Sequence, residues 1–260
     1  MRPRGMNMRL HLLIPIVALL AAGCSGSGSA ETKDSDPKAV AVADQVLKAL
    51  GGKAKWDAMP CLEWTFESAV KDTMRPGARH HVWDKKTGWH RVDGRNRQGQ
   101  SFVIIHRLGE PGGKAWVDGV PIEGDSLQKL VKRANSMWTN DTYWMLMPYK
   151  LHDQGVHLKY DGEVTEGRMT YEKVALSFDN VGETPGDHYW IYVNRSSHRV
   201  EKWDFVLEGD QPPAKTWTWE GYEERDGMWF PTAHRSGDMT LYTHKVELMT
   251  VIPPQTFAAP

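Results

Sequence analysis

The feature that most constrains this chain is the spacing of its apolar residues, which over much of its length recur every second position, the period of a strand with one buried face. Leu62, Trp64 and Phe66 alternate with Glu63, Thr65 and Glu67. Similar stretches follow at 79–84, 89–92 and 101–108, and after a mid-chain interruption at 156–160, 169–178, 188–193, 200–207, 215–222, 228–233 and 241–251. Turn residues divide them. Trp116-Val117-Asp118-Gly119-Val120 suits a hairpin closed by a type I′ turn, and Asp161-Gly162 and Asp226-Gly227 mark further turns. The count is about ten or eleven antiparallel strands, at the spacing expected of a sandwich or barrel.

The interruption is helical. Between Asp125 and Met137, the residues Leu127, Leu130, Val131, Ala134 and Met137 follow a helical period, and Asp141 to Leu146 reads as a second short piece stopped by Pro148. An earlier helix is set by Asp36 as N-cap, Pro37 in the first turn, and Val40, Ala43, Val46, Leu47 and Leu50 on one face; Gly51-Gly52 ends it. The class is therefore mainly β with a helical insert, α+β.

The N-terminus is a processing signal and stands outside this fold. Arg2, Arg4 and Arg9 precede an apolar run from Leu10 to Ala22, the layout of a secretory signal peptide. Spanning a bilayer takes about 20 apolar residues; this run is shorter and Pro15 interrupts it. Its end, Leu19-Leu20-Ala21-Ala22-Gly23-Cys24-Ser25, resembles the bacterial lipobox, with Ala21 where leucine is commonest. The expectation is a signal peptide at 1–23, a lipidated Cys24 with a flexible tether to residue 36, and a single domain over 37–260. One acyl chain anchors only marginally, whereas several hold stably. Ser25, standing where an aspartate would signal retention, favours an outer membrane facing the periplasm over the inner membrane.

Cleavage leaves Cys61 as the one remaining thiol, so no internal disulfide staples the chain and stability must come from a core. Lysine and arginine number 32 against 33 acids and are scattered among them, which excludes the electrostatic footprint of a nucleic-acid binder.

Motifs for chemistry are few. Gly124-Asp125-Ser126-Leu127 spells the nucleophile block of the GDSL hydrolases, with Ser126 as nucleophile. That chemistry needs a base, which those enzymes supply from a later Asp-x-x-His, and this sequence has none. Asp125 and Ser126 read better as helix N-cap residues. His80, His81, His90 and His106 fall in the first strand group, but without a helical His-x-x-x-His or a cysteine partner they are expected to be half-buried packing residues, with no metal. Gly51-Gly52 and Gly112-Gly113 lack the frame of a phosphate loop. Cys61 has no evident base partner, and no cofactor is implied.

The aromatic residues say more. The chain has twelve tryptophans. Trp64 with Phe66, Trp203 with Phe205 and Leu207, and Trp217 with Trp219 each share a strand face, while 188–193 is apolar on both faces. A curved sheet with a concave aromatic face can enclose a cavity for a lipid-like ligand. The alternative is that the same rings fill a solid core.

Three segments carry a resemblance to a known group: Val46-Leu47-Lys48-Ala49-Leu50-Gly51-Gly52, Tyr143-Trp144-Met145-Leu146-Met147-Pro148-Tyr149-Lys150-Leu151, and Asp226-Gly227-Met228-Trp229-Phe230-Pro231. The chain resembles the LolA/LolB-like lipoprotein carriers and receptors, and more nearly a broad set of bacterial lipoproteins of that fold. The resemblance implies an unclosed antiparallel β-barrel of about eleven strands lidded by helices, with an interior that receives acyl chains. The lipid anchor at Cys24 sets the chain apart from a soluble carrier.

The function expected is that of a non-enzymatic, membrane-tethered protein that shelters an acyl chain or other apolar small molecule among Trp64, Phe66, Trp203, Phe205, Trp217 and Trp219. A packed-core module that binds an envelope protein is the alternative, and a serine hydrolase at Ser126 a more remote one.

Overall fold

The computed structural model describes residues 35–179, 187–207, 210–258 and 260. The signal segment, Cys24 and most of the tether lie outside the described residues. Ser35 and Asp36, assigned to the end of the tether, are bonded to the fold: the Leu158 N–H donates to Ser35 Oγ at 3.0 Å, and the Asp36 N–H donates to the Leu158 carbonyl at 2.8 Å.

Helix α1 (Pro37–Ala49) starts as expected, its Asp36 side chain accepting from the Lys38 N–H at 2.8 Å, and a short α2 (Lys53–Ala58) follows. Next come β1 (Cys61–Val70), β2 (Thr73–Met74), β3 (Arg79–Asp84), β4 (Trp89–Arg95), β5 (Ser101–Arg107), β6 (Gly113–Val117) and β7 (Val120–Pro121). Helix α3 (Gly124–Leu146) and a 3-10 turn at Met147–Tyr149 lead to β8 (Val156–Glu166), β9 (Met169–Phe178), β10 (His188–Asn194), β11 (Val200–Val206) and β12 (Lys215–Thr218). The described strands end with β13 (Glu223–Arg225), β14 (Met228–Phe230), β15 (Ala233–Ser236) and β16 (Met239–Met249).

All pairings are antiparallel. One sheet runs β15-β16-β1-β3-β4-β5-β6-β7 with β2 on β1, a second runs β12-β11-β10-β9-β8, and β13-β14 is a separate hairpin. Among the described residues a single bridge, Glu220 to Ala233, joins the two large sheets on the β12/β15 side. On the other side β7 and β8 do not pair, and α3 connects them. The structure is thus a β-barrel left open, with a helix laid into it. The described strands are more numerous than the expected eleven, because short pieces such as β2, β7 and β13 carry too few residues to show a period.

Three local expectations change. Asp161-Gly162 is a bulge, not a turn: β8 continues through it with a register shift between Tyr160 and Glu163, Gly162 at φ 99°, and the hairpin closes later near Gly167. The two helical pieces of the insert are one helix, since the Trp138-Thr139-Asn140 link has neither glycine nor proline to break it, and α3 ends at the 3-10 turn holding Pro148. The N-cap of α3 is Glu123 and makes no side-chain capping bond; Asp125 and Ser126 lie inside the first turn, where the Asp125 charge suits the helix dipole. The hairpin turns at Asp118-Gly119 and Asp226-Gly227 have positive φ at both residues, as type I′ requires.

The three segments that carried the family resemblance meet at one point. The Tyr149 hydroxyl lies 2.8 Å from the Leu50 carbonyl and 2.9 Å from the Trp229 carbonyl, and accepts from the Trp229 N–H at 3.1 Å. Gly51 is at φ 117°, and a Cβ there would sit 2.3 Å from the Gly227 carbonyl oxygen. Only glycine fits such an approach.

Candidate functional site

Helix α3 has two kinds of surface. Its first half is amphipathic, with Val131 and Ala134 packed on Val92, Phe102, Ile104 and Ala115 of the first sheet. From Trp138 onward nearly every side chain is buried, because this half runs between the sheets. It meets a different environment on each side.

Toward the second sheet lies a cluster of rings. The Trp144 ring sits 4.7 Å from Trp203 and 5.0 Å from Trp217, and Trp203 sits 5.1 Å from Trp219 and 5.5 Å from Phe205. Tyr189 lies 5.2 Å from Trp203. The register explains the gathering: Trp217 pairs across from Trp203, and Ile191 and Tyr189 pair with Trp203 and Phe205. Many of these contacts are edge-to-face, the arrangement ring quadrupoles favour. His234 of β15 closes the cluster, 4.6 Å from Trp219, with Nδ1 3.2 Å from the Thr218 carbonyl. Burial pushes its imidazole down to about 3, so the ring is neutral.

All six rings singled out in the sequence are buried in one apolar core. The structure brings Trp203, Phe205, Trp217 and Trp219 into the cluster. Trp64 and Phe66 lie instead on the first sheet, where Trp64 stacks on His81 at 4.6 Å and the Arg79 guanidinium covers Phe66 at 4.8 Å. Trp144 and His234 were missed: the first sits on a helix whose face could not be assigned, and the second is an isolated histidine among polar neighbours. One property of these rings is unusual. The indole N–H groups of Trp64, Trp144, Trp203 and Trp219 are buried with no hydrogen-bond partner among the described residues. Leaving a buried donor unpaired costs roughly 1–3 kcal/mol.

Toward the first sheet lies a polar chain. Asp141 of α3 is fully buried and accepts from Arg79 Nε at 2.6 Å and Nη2 at 2.8 Å, a bidentate pair. Its Oδ2 also lies 2.9 Å from His81 Nε2. His81 Nδ1 is 3.0 Å from His90 Nε2, and His90 Nδ1 is 2.9 Å from His106 Nε2. His106 Nδ1 is buried with no hydrogen bond among the described residues. The three histidines are therefore not half-buried packing residues: each is wholly buried, and they are linked in series with their nitrogens facing one another. Strand pairing does this, because His90 registers with His106, and β3 and β4 place His81 on the same face. His80, on the opposite face, pairs with Glu63 at 2.8 Å and faces Asp93, whose carboxylate and that of Glu63 raise its pKa against burial.

Burial pushes all three linked imidazoles down, His106 to about 4. Burial also works against the charge on Asp141, but Arg79 and the His81 bond outweigh it and hold the carboxyl down at about 2. Ser126 is exposed on the first turn of α3, away from these buried histidines. Burial, reinforced by Asp84 and Glu63, pushes the Cys61 thiol up to about 12, so it stays protonated and unreactive.

This architecture has known counterparts. A DUF1329 family protein from Desulfovibrio piger aligns over 86% of this chain and 98% of its own, at 14% identity and a TM-score of 0.51. A LolA superfamily protein from Nitrosomonas europaea covers 83% of this chain and 96% of its own at 15% identity and a TM-score of 0.49. A domain from Vibrio parahaemolyticus, described as an outer-membrane lipoprotein-sorting protein, covers 85% and 96% at 10% identity and the same TM-score of 0.49. At such identities the likeness speaks for the fold alone, antiparallel sheets left open around a helix. No protein-family model matches the chain, and no curated protein does.

Proposed function

We propose that this protein is a non-enzymatic lipoprotein of the cell envelope, tethered through lipid on Cys24, whose interior receives an acyl chain or another apolar molecule. The observation that carries this reading is the ring cluster around Trp144, Trp203 and Trp219, whose N–H groups lack partners among the described residues. Phenylalanine would pack as well without unpaired donors, so the indoles suit a guest that is apolar in bulk and carries a hydrogen-bond acceptor, such as an acyl ester or a fatty acid. The LolA-like fold supports the same reading. Burying 300 Å² of acyl surface contributes roughly 7 kcal/mol before ordering costs, at about 25 cal/mol per Å². Entry requires α3 to move, because Trp144 rides on it.

Close ring contacts favour a second reading, a solid core whose rim binds an envelope protein. Native mass spectrometry of the full chain extracted from membranes, with lipid analysis of what it carries, separates the two. A stoichiometric lipid that is lost in Trp203→Phe and Trp219→Phe, both still folded, supports the carrier reading. A bare mass together with no uptake of a fluorescent fatty acid overturns it in favour of the interaction module.

A further inference from the structure

The chain Arg79–Asp141–His81–His90–His106 is left unused by ligand binding, and its proton arithmetic is closed. An ionised carboxylate only accepts, so His81 must carry its proton on Nε2 and offer Nδ1 as acceptor. His90 must then donate through Nε2, and so must His106. All three rings are the same tautomer, and the lone pair at the far end, on His106 Nδ1, is buried with no donor facing it among the described residues. A first added proton enters at that nitrogen without costing any bond. Transfers along the two N–H···N links then carry the charge to His81, beside Asp141, where it is best compensated. A second added proton has no place, because it puts two hydrogens into one of the gaps of 2.9 and 3.0 Å between rings. One link must break.

The surroundings fit this arithmetic. On β3, Arg79 and His80 oppose charge on His81, while Asp141 from α3 favours it. On β4 and β5, His90 meets only the repulsion of its neighbours His81 and His106, and His106 faces the Arg107 backbone. From β1, Trp64 stacks on His81 and brings no charge, and Glu63 is engaged by His80 on the other face. Arg133 of α3 lies near enough to Arg79 to be repelled by it. Asp141 is thus the counter-charge for the whole chain, and it belongs to the helix, whereas the histidines belong to the sheet.

We propose that this chain is a proton-loaded latch that fastens α3 to the first sheet: it takes up one proton with every bond intact and releases the helix on the second. The proposal does not depend on what the interior binds, and its tests need no ligand. Histidine ¹⁵N NMR of the full chain at neutral pH is expected to show the Nε2–H tautomer at His81, His90 and His106; an Nδ1–H tautomer at His81 or His90 overturns the arrangement. Hydrogen exchange, corrected for its intrinsic pH dependence, is expected to show α3 losing about a hundredfold of protection per pH unit through the release, because the three freed histidines all become charged, two protons more than the loaded latch holds, while the β8–β9 hairpin keeps its own protection. In His90→Phe, which cuts the series but spares the bonds of Asp141, that slope should fall to about tenfold or less per unit. Parallel loss of protection in helix and hairpin, or an unchanged slope in His90→Phe, refutes the latch; should that variant not fold, the tautomers and the wild-type exchange still decide.

Discussion

The two sides of α3 hold the same helix by different physics. Toward the second sheet, Trp144 is held by ring packing that leaves indole donors without partners among the described residues. Toward the first, Asp141 is held by directional bonds passed from ring to ring and ended by an ion pair. The contrast teaches that burial alone does not define an interior. One side is suited to exchange its contacts with an apolar guest, the other to register the proton supply, and a single helix reports both.

The largest effect should come from cutting the polar side at its charge. Asp141→Ala leaves the half-buried Arg79 without its carboxylate and the wholly buried His81 without its acceptor, and is expected to destabilise the fold by about 3 kcal/mol in urea unfolding. A loss under about 1 kcal/mol would mean that the helix is held by the rings alone.

Acid comes next and acts on both sides. His106 and His234 have folded pKa values of about 4 and about 3, below the unfolded value of about 6.5. The unfolded chain therefore binds more protons in acid. Their contribution is complete above about pH 6.5 and is lost as pH falls toward the folded values, about 2 kcal/mol for each at pH 5. Denaturant midpoints measured from pH 7 to 4 should fall accordingly; a flat profile would show that these rings are charged or solvated.

Removing the Tyr149 hydroxyl tests the region where the two sides are tied off. Tyr149→Phe is expected to cost about 1–2 kcal/mol, measured by thermal unfolding, since one group there serves Leu50 and Trp229 together. The smallest effect is expected on the aromatic side. In ligand-free protein Trp219→Phe should change stability by less than about 1 kcal/mol, the lost packing being offset by removal of an unpaired donor. A larger loss would mean that this N–H has a partner, a bound water or the face of a neighbouring ring.

Much of this was legible from residue type and period. The alternation at Leu62, Trp64 and Phe66 gave a strand with those side chains inward, and Asp118-Gly119 gave a hairpin because two successive positive φ values admit few other pairs. The cluster of Trp203, Phe205, Trp217 and Trp219 followed from shared strand faces. The histidine chain did not, although parity placed His81 on the face opposite His80. Seeing it required the register of β3, β4 and β5, and then Asp141, which arrives from a helix whose rotation about its own axis is fixed by packing. The bulge at Asp161-Gly162 was missed for a related reason: glycine marks positive φ whether the chain turns back or merely gains a residue.

The clamp at Tyr149 also sets an order in time. It joins positions separated by 99 and 80 residues, so two of its three parts exist long before the third. A chain delivered from its N-terminus can form α1 and α3 early, but both must wait for β14 before their ends are tied together. Closing such long loops is slow, and until then the apolar faces of both helices stay open to other binders. Maturation of this protein is therefore expected to be paced by the arrival of its last quarter.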